Sequence, residues 1–285
     1  MPKVTIDFWD PIDNNGNHFD LLPVCSDVHG LRVRDRMQDR GTEYTDYVVH
    51  VESRDGQGFG MAARIRKENL PEKVNLQTGD VRPLDLLAQE GLAEEVHFLY
   101  DQGLQTLVTQ RNRIFRASAL VDLLRDLSGA MFGIQPKLRE DAWQRFRRMV
   151  RIGSLELKLR TPDHHPNLSQ TIPSMAEFLD DAADEVNAFT VDIKMSVERS
   201  KTRSLEVGII RSLVNVFRRE ENLSKLVVSG NRGEGERGEI VDFIRDRLVH
   251  TGEVRYDGRQ LDGAQCRQLL REALERHRPY LRTLL

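Results

Sequence analysis

Two tripeptides in the second half of the chain set a lysine two residues after a carboxylate: Glu156-Leu157-Lys158 and Asp192-Ile193-Lys194. On a strand, that spacing puts both charges on one face. A metal-dependent nuclease uses such groups, the carboxylates holding a divalent ion and the lysine flanking the attacking water. The same spacing also describes a solvated sheet face with cross-strand charge pairs, and no upstream Pro-Asp element completes a nuclease set. Asp163-His164-His165 has metal-ligand types, but adjacent histidines diverge and no third ligand is spaced for one ion, so the tract reads as a polar loop. Asp20, Cys25 and His29 have the types of a nucleophilic set, and nothing shows that they converge. Gly230–Gly238 (GNRGEGERG) lies between a strand and a helix, where phosphate loops sit. It lacks the Gly-Lys-Ser/Thr ending, and Glu234, Glu236 and the following Glu239 repel phosphate, so it reads as a surface loop. None of these sets assigns a catalytic residue, a metal or a cofactor.

The stronger signal is arginine. Arg111, Arg113 and Arg116 follow a hairpin, and Arg145, Arg147, Arg148 and Arg151 fall on one amphipathic helix. Residues 111–160 carry 12 Lys/Arg against 5 Asp/Glu, net +7, in a chain whose net charge is −3. Guanidinium groups fork onto phosphate oxygens and stack on bases, and nucleic-acid affinity grows with the phosphates neutralised. The competing use is internal. Residues 161–200 are net −6, and an acidic helix expected over Ser174–Ala188 could take up the arginines within the chain or across a dimer.

The elements that must position these residues follow from periodicity. Lys3–Trp9 alternates as a strand. Tyr44–Glu52 and Gly58–Arg66 flank an Asp-Gly turn and form a hairpin. Val96–Asp101 and Leu104–Gln110, joined at Gln102-Gly103, carry apolar residues on both faces and belong in the middle of a sheet. Ser118 is the expected N-cap of a short helix ending before Gly129. Beyond a boundary at Met131–Glu140 the pattern alternates: helix Leu138–Ile152, strand Ser154–Arg160, strand Phe189–Val197, helix Leu205–Glu220, strand Lys225–Val228, helix Ile240–Val249, a short strand at Glu253–Tyr256 and a long helix from Ala264. The terminal helix is apolar enough either to dock on the sheet or to pair with a second copy.

The expected fold is α+β. A β-rich domain over 1–134 is closed by a short helix. A mixed α/β domain over 135–285 has a sheet covered on one face and a long terminal helix. Two distant cysteines suit a reducing cytoplasm. No apolar run reaches the length of a membrane span, and the first residues have no secretory pattern.

Three segments carry a resemblance: VTIDFWD at 4–10, RIRKENLP at 64–71 and EEVHFLYDQGLQTLVTQRNR at 94–113, with Phe98, Tyr100-Asp101, Leu107, Gln110 and Asn112 as matching positions. Over about the first 130 residues the chain resembles an uncharacterised bacterial and phage domain family linked to phage-defence loci. More distantly it is similar to the DNA-binding subunit of the Kiwa defence system and to the phage-exclusion protein RexA. The resemblance implies antiviral defence and phage resistance, with DNA binding by a homodimer and no enzymatic activity. The function expected is a non-enzymatic, cytoplasmic sensor or binder of nucleic acid that uses the seven arginines above. The alternatives are a metal-dependent nuclease effector and a protein–protein adaptor or counter-defence factor.

Overall fold

The computed structural model describes residues 1–87, 90–160, 190–197, 204–218, 223–233, 236, 238–258 and 260–285, together with 175, 177, 178 and 181. In chain order the described elements are β1 (Lys3–Ile12), α1 (Leu22–Gly30), β2 (Met37–Asp39), β3 (Tyr44–Arg54), β4 (Gln57–Arg66), β5 (Lys73–Val74), β6 (Val81–Arg82), β7 (Leu92–Asp101), β8 (Thr106–Gln110) and α2 (Ala117–Ser128). There follow β9 (Gly133–Pro136), α3 (Glu140–Arg148), β10 (Arg151–Arg160), β11 (Thr190–Ser196), α4 (Val207–Phe217), β12 (Leu223–Asn231), β13 (Glu239–Asp242), β14 (Val249–Glu253), β15 (Tyr256–Asp257), β16 (Gln260–Leu261) and α5 (Gly263–Leu281). The chain forms two compact units. Unit 1 joins Met1–Ile134 to Val249–Leu285, and unit 2 is Gln135–Leu248. The span 135–285 drawn from sequence pattern therefore includes a last segment that packs with unit 1.

Unit 1 is built on an antiparallel sheet of strand order β14-β1-β8-β7-β4-β3-β2. β7 and β8 are central, as their two apolar faces require. β3 and β4 turn on Asp55 and Gly56, both at positive φ (53° and 75°), the two-residue geometry that matches strand twist. One face, with Trp9, Val48, Val51, Ala62, Val96, Phe98, Tyr100 and Leu107, is buried under α1 and α2. The opposite face meets α5, which buries Cys266, Leu269, Leu270, Ala273, Leu274 and Leu281. Each of these leucines contributes about 1.5–3 kcal/mol by leaving water. Leu269 lies so close to β14 that a side chain at Gly252 would collide with it. The terminal helix therefore docks on the sheet. α2 begins one residue before Ser118, with Arg116 at the N-cap position and no side-chain cap bond, so Ser118 is inside the helix rather than its cap. α1 escapes a periodicity reading because it is short and buries only Val24, Cys25 and Val28.

Unit 2 has a four-stranded antiparallel sheet, β11-β10-β12-β13. Leu155, Leu157, Leu159, Val191, Leu226, Val228 and Val241 form one core with Ala142, Phe146 and Met149 around α3 and with Ile210, Leu213, Val214 and Phe217 of α4. The opposite faces of the strands carry Glu156, Lys158, Asp192, Lys194 and Lys225, so among the described residues the sheet is covered on one face, as expected. The chain is thus α+β with antiparallel sheets. Two expected helices differ. α3 stops at Arg148, and Arg151 already belongs to β10. The helix expected over Ile240–Val249 is instead β13 followed by a turn. The Asp242 carboxylate accepts from the amides of Ile244 (3.0 Å) and Arg245 (3.1 Å), a local bond that competes with helix continuation. Most of the acidic segment 174–188 and all of Asp163-His164-His165 lie outside the described residues.

Candidate nucleic-acid interface

The seven arginines divide between the units: Arg111, Arg113 and Arg116 belong to unit 1, and Arg145, Arg147, Arg148 and Arg151 to unit 2. In unit 1 the segment after β8 is pinned as framework. Asn112 Oδ1 accepts from the amides of Ile114 (2.8 Å) and Phe115 (3.1 Å), while its Nδ2 donates to the Glu95 carbonyl. Phe115 is fully buried. Arg111 forks onto Asp7, donating from Nε at 2.9 Å and from a terminal nitrogen, and these bonds hold its guanidinium above the ordinary arginine range. Arg113 and Arg116 are exposed.

In unit 2 the arginines separate by role. Asp246 is buried and collects Arg139 and Arg145, and it also accepts from the Asp242 amide. Arg145 further bonds Asp141 across one helical turn (3.2 Å) and the Ile240 carbonyl (2.9 Å), so it clamps α3 against β13. Arg147 and Arg148, in the last turn of α3, are exposed, and their guanidiniums make no ion pair among the described residues. Arg211 of α4 is exposed, yet it donates to the carbonyls of Arg147 (3.0 Å) and Met149 (3.2 Å). Two exposed arginines therefore stand in the last turn of α3, and a third, Arg211, bonds the carbonyls at that end. Cations there are stabilised by the helix dipole, and bases of fixed charge on one end are also what a phosphate chain meets. Arg151, half-buried at the start of β10, is not on the helix face with Arg147 and Arg148.

The acid-spacer-lysine tripeptides form a charge ladder. Glu156 lies opposite Lys194, and Lys158 opposite Asp192. Glu156 bonds Lys225 through one oxygen and Lys194 through the other (2.9 Å), and Lys158 stands 3.8 Å from Asp192. The bonds to Lys225 and Lys194 hold the Glu156 carboxyl down at about 2. Both of its oxygens are thus engaged by ammonium groups, the arrangement of a cross-strand pair rather than of a metal ligand. No three His, Cys, Asp or Glu side chains cluster for a metal among the described residues.

Cys25, Asp20 and His29 do not form a nucleophilic set. Burial pushes the Cys25 thiol up to about 12, with the Asp20 charge adding to the shift, and His29 Nδ1 bonds the Val51 carbonyl (2.6 Å). A thiol at that pKa supplies no thiolate at neutral pH. Between β12 and β13, Arg232 pairs with Glu239 (2.6 Å), so the one cation of the described glycine-rich loop already has an anion.

Sequence reasoning missed the buried polar groups. Asp46, with no exposed surface, takes Arg64 on both oxygens (2.8 and 2.9 Å) and Arg40 on one (3.0 Å). The Arg64 guanidinium also lies over Tyr44 and Phe115, which ties the 111–116 segment to the sheet. Tyr100, buried in β7, reaches His18 Nε2 (3.0 Å) and Asp20, and burial raises its hydroxyl above the ordinary range. The only local hint was the Tyr100-Asp101 dipeptide. Asp101 accepts from the Leu104 amide (2.9 Å) and Gln57 (2.9 Å) and so shapes the β7–β8 turn.

No helix among the described residues is long and apolar enough to cross a membrane. No curated protein matches the chain. The family model described as family of unknown function (DUF6731) runs over residues 8–267, from within β1 to the first turn of α5 and so well beyond the first 130 residues, and the chain belongs to that family.

Proposed function

We propose that this protein binds nucleic acid without acting on it chemically, contacting phosphates with Arg147 and Arg148. The observation that carries the proposal is the exposed pair at the end of α3, free of carboxylates among the described residues and backed by Arg211. Arg113 and Arg116 supply further exposed cations in unit 1. Arg111 and Arg145 are left out of the contact, because Asp7 and Asp246 already hold them. The resemblance of the first 130 residues to defence-linked proteins supports an antiviral setting in the cytoplasm and a homodimer as the binding form. Non-enzymatic action agrees with Glu156 being held by two lysines.

Binding of a short duplex DNA and the same sequence as RNA, followed by fluorescence anisotropy over a salt series, tests this. The expected result is affinity that falls with salt, with the log–log slope reduced by about 1–2 in the Arg147→Ala, Arg148→Ala double variant, since each phosphate contact contributes about 0.9. Absence of binding at low salt, or binding indifferent to salt, rejects the proposal and leaves an acidic protein surface as the partner of these arginines.

A further inference from the structure

Unit 1 contains a cleft of about 260 Å³ between the start of β7, the end of β8 and the β15–β16 hairpin, lined by Glu94, Glu95, His97, Gln110, Gln260 and Leu261 among others. Its floor is polar and almost wholly buried, His97 being 5% and Gln110 9% exposed. His97 Nδ1 lies 3.2 Å from Gln110 Oε1. An amide oxygen only accepts, so Nδ1 carries the hydrogen and Nε2 is left with its lone pair. Nε2 has no hydrogen-bond partner among the described residues. It faces Gly263, the first residue of α5, where an added Cβ would stand 3.3 Å away. Burial, and then the charge of Arg267, hold the imidazole below the ordinary histidine range, which keeps that lone pair available at neutral pH.

The rest of the lining fixes the sign of the ligand. Glu95, on the same face of β7 as His97, has no ion-pair partner among the described residues, whereas the Glu94 side chain points to the opposite face of the sheet. The positive end of α5 is already capped, because the Asp262 carboxylate accepts from the amides of Ala264 (2.9 Å) and Gln265 (3.2 Å). Arg267 is stacked on the Phe59 ring at 4.7 Å. Both polar ends of the Asn112 side chain are spent on backbone. What faces the cleft is therefore a set of acceptors that includes one carboxylate without an ion-pair partner among the described residues, Glu95, beside a neutral histidine. An anion would be repelled, and a neutral apolar group would leave the acceptors dry, at the usual cost of an unmet polar group.

We propose that this cleft binds the ammonium or guanidinium group of a small organic cation, with its N–H donors shared between His97 Nε2 and the Glu95 carboxylate. The site is independent of the arginines and of the nucleic-acid proposal. Gly263 is its gate residue: alanine suits a helix better than glycine, yet here its methyl group would cover Nε2.

The test is a titration of the full chain followed through the ¹⁵N resonances of the His97 ring. The probes are n-butylammonium, n-butylguanidinium and N-acetyl-lysine amide, with acetate as the control. The expected result is a saturable Nε2 shift with the cations and none with acetate. Glu95→Gln should weaken binding about tenfold, as the loss of one charge-assisted bond implies. Gly263→Ala should abolish binding while keeping the fold and its melting temperature. Tighter binding of the alkyl cations assigns a free metabolite, and tighter binding of the lysine amide assigns a side chain of a peptide. The proposal is overturned by no saturable shift with any cation, by equal binding of acetate, or by unchanged binding in both Glu95→Gln and Gly263→Ala.

Discussion

Asp46 in unit 1 and Glu156 in unit 2 are both strand carboxylates held by two basic side chains, and they carry very different weight. Asp46 has no exposed surface, and the flanking Arg40 and Arg64 are themselves mostly covered. Glu156 keeps 24% of its side chain in solvent, and Lys194 and Lys225 are more open still. The same geometry is a structural keystone where water is excluded and a surface ornament where it is not, since solvent screens the outer pair. The contrast also sorts the arginines. Those that meet a buried carboxylate, such as Arg64 and Arg145, are committed to the fold, and those left in water, such as Arg147 and Arg148, are available to a partner.

Breaking the comparison at its strong end should give the largest effect. Asp46→Ala leaves two mostly covered guanidiniums without their anion and should destabilise unit 1 by roughly 3–5 kcal/mol, read as a shift of the urea midpoint. A shift no larger than that of a surface substitution would erase the distinction.

Acid sharpens the comparison next. Burial is the first cause holding His97, His250 and His277 below the ordinary 6.5, with Arg276 adding to the shift of His250, and His250 and Arg276 to that of His277. His277 packs edge-on against Phe8 and His250, in the layer between α5 and the sheet. A depressed histidine binds fewer protons folded than unfolded, so its stabilisation is full above about 6.5 and is lost as pH falls through the folded value. Unit 2 has no described histidine, and its depressed group is Glu156, whose contribution is full above the ordinary 4.5 and lost on the way to about 2. Amide exchange between pH 7 and 5 should therefore show unit 1 loosening while unit 2 holds, and His277→Gln should flatten the response. Equal loosening of both units would contradict this ordering.

The smallest effect belongs to Glu156→Gln. Its melting temperature at pH 7 should stay close to that of the parent, and the difference should vanish as the pH approaches 2. A loss comparable to that of Asp46→Ala would mean that the ladder is shielded from water.

Much of the fold was legible because it is local. The Asp55-Gly56 hairpin, the two-faced β7–β8 pair and the helix that becomes α3, with Ala142 and Phe146 buried, follow from turn chemistry and period. The helix expected over Ile240–Val249 failed because the Asp242 side chain makes a turn that periodicity does not register. The candidate interface was legible only as a charge excess. Which arginines are spent depends on Asp7 and Asp246, which lie 104 and 101 residues from Arg111 and Arg145, beyond the reach of any local pattern.

The pairing of β1 with β14, Lys3 opposite Glu253, sets the order in which the molecule can be made. Unit 2 is contiguous and holds everything it needs by Leu248, whereas unit 1 lacks an edge strand and the cover of one sheet face until α5 leaves the ribosome. During synthesis the inserted body can close first, and the first-made strands must wait with Ile6, Phe8 and Leu99 uncovered. Such waiting surface is where chaperones and aggregation compete, so interruption of translation before α5 leaves a finished insert carried by an unfinished host.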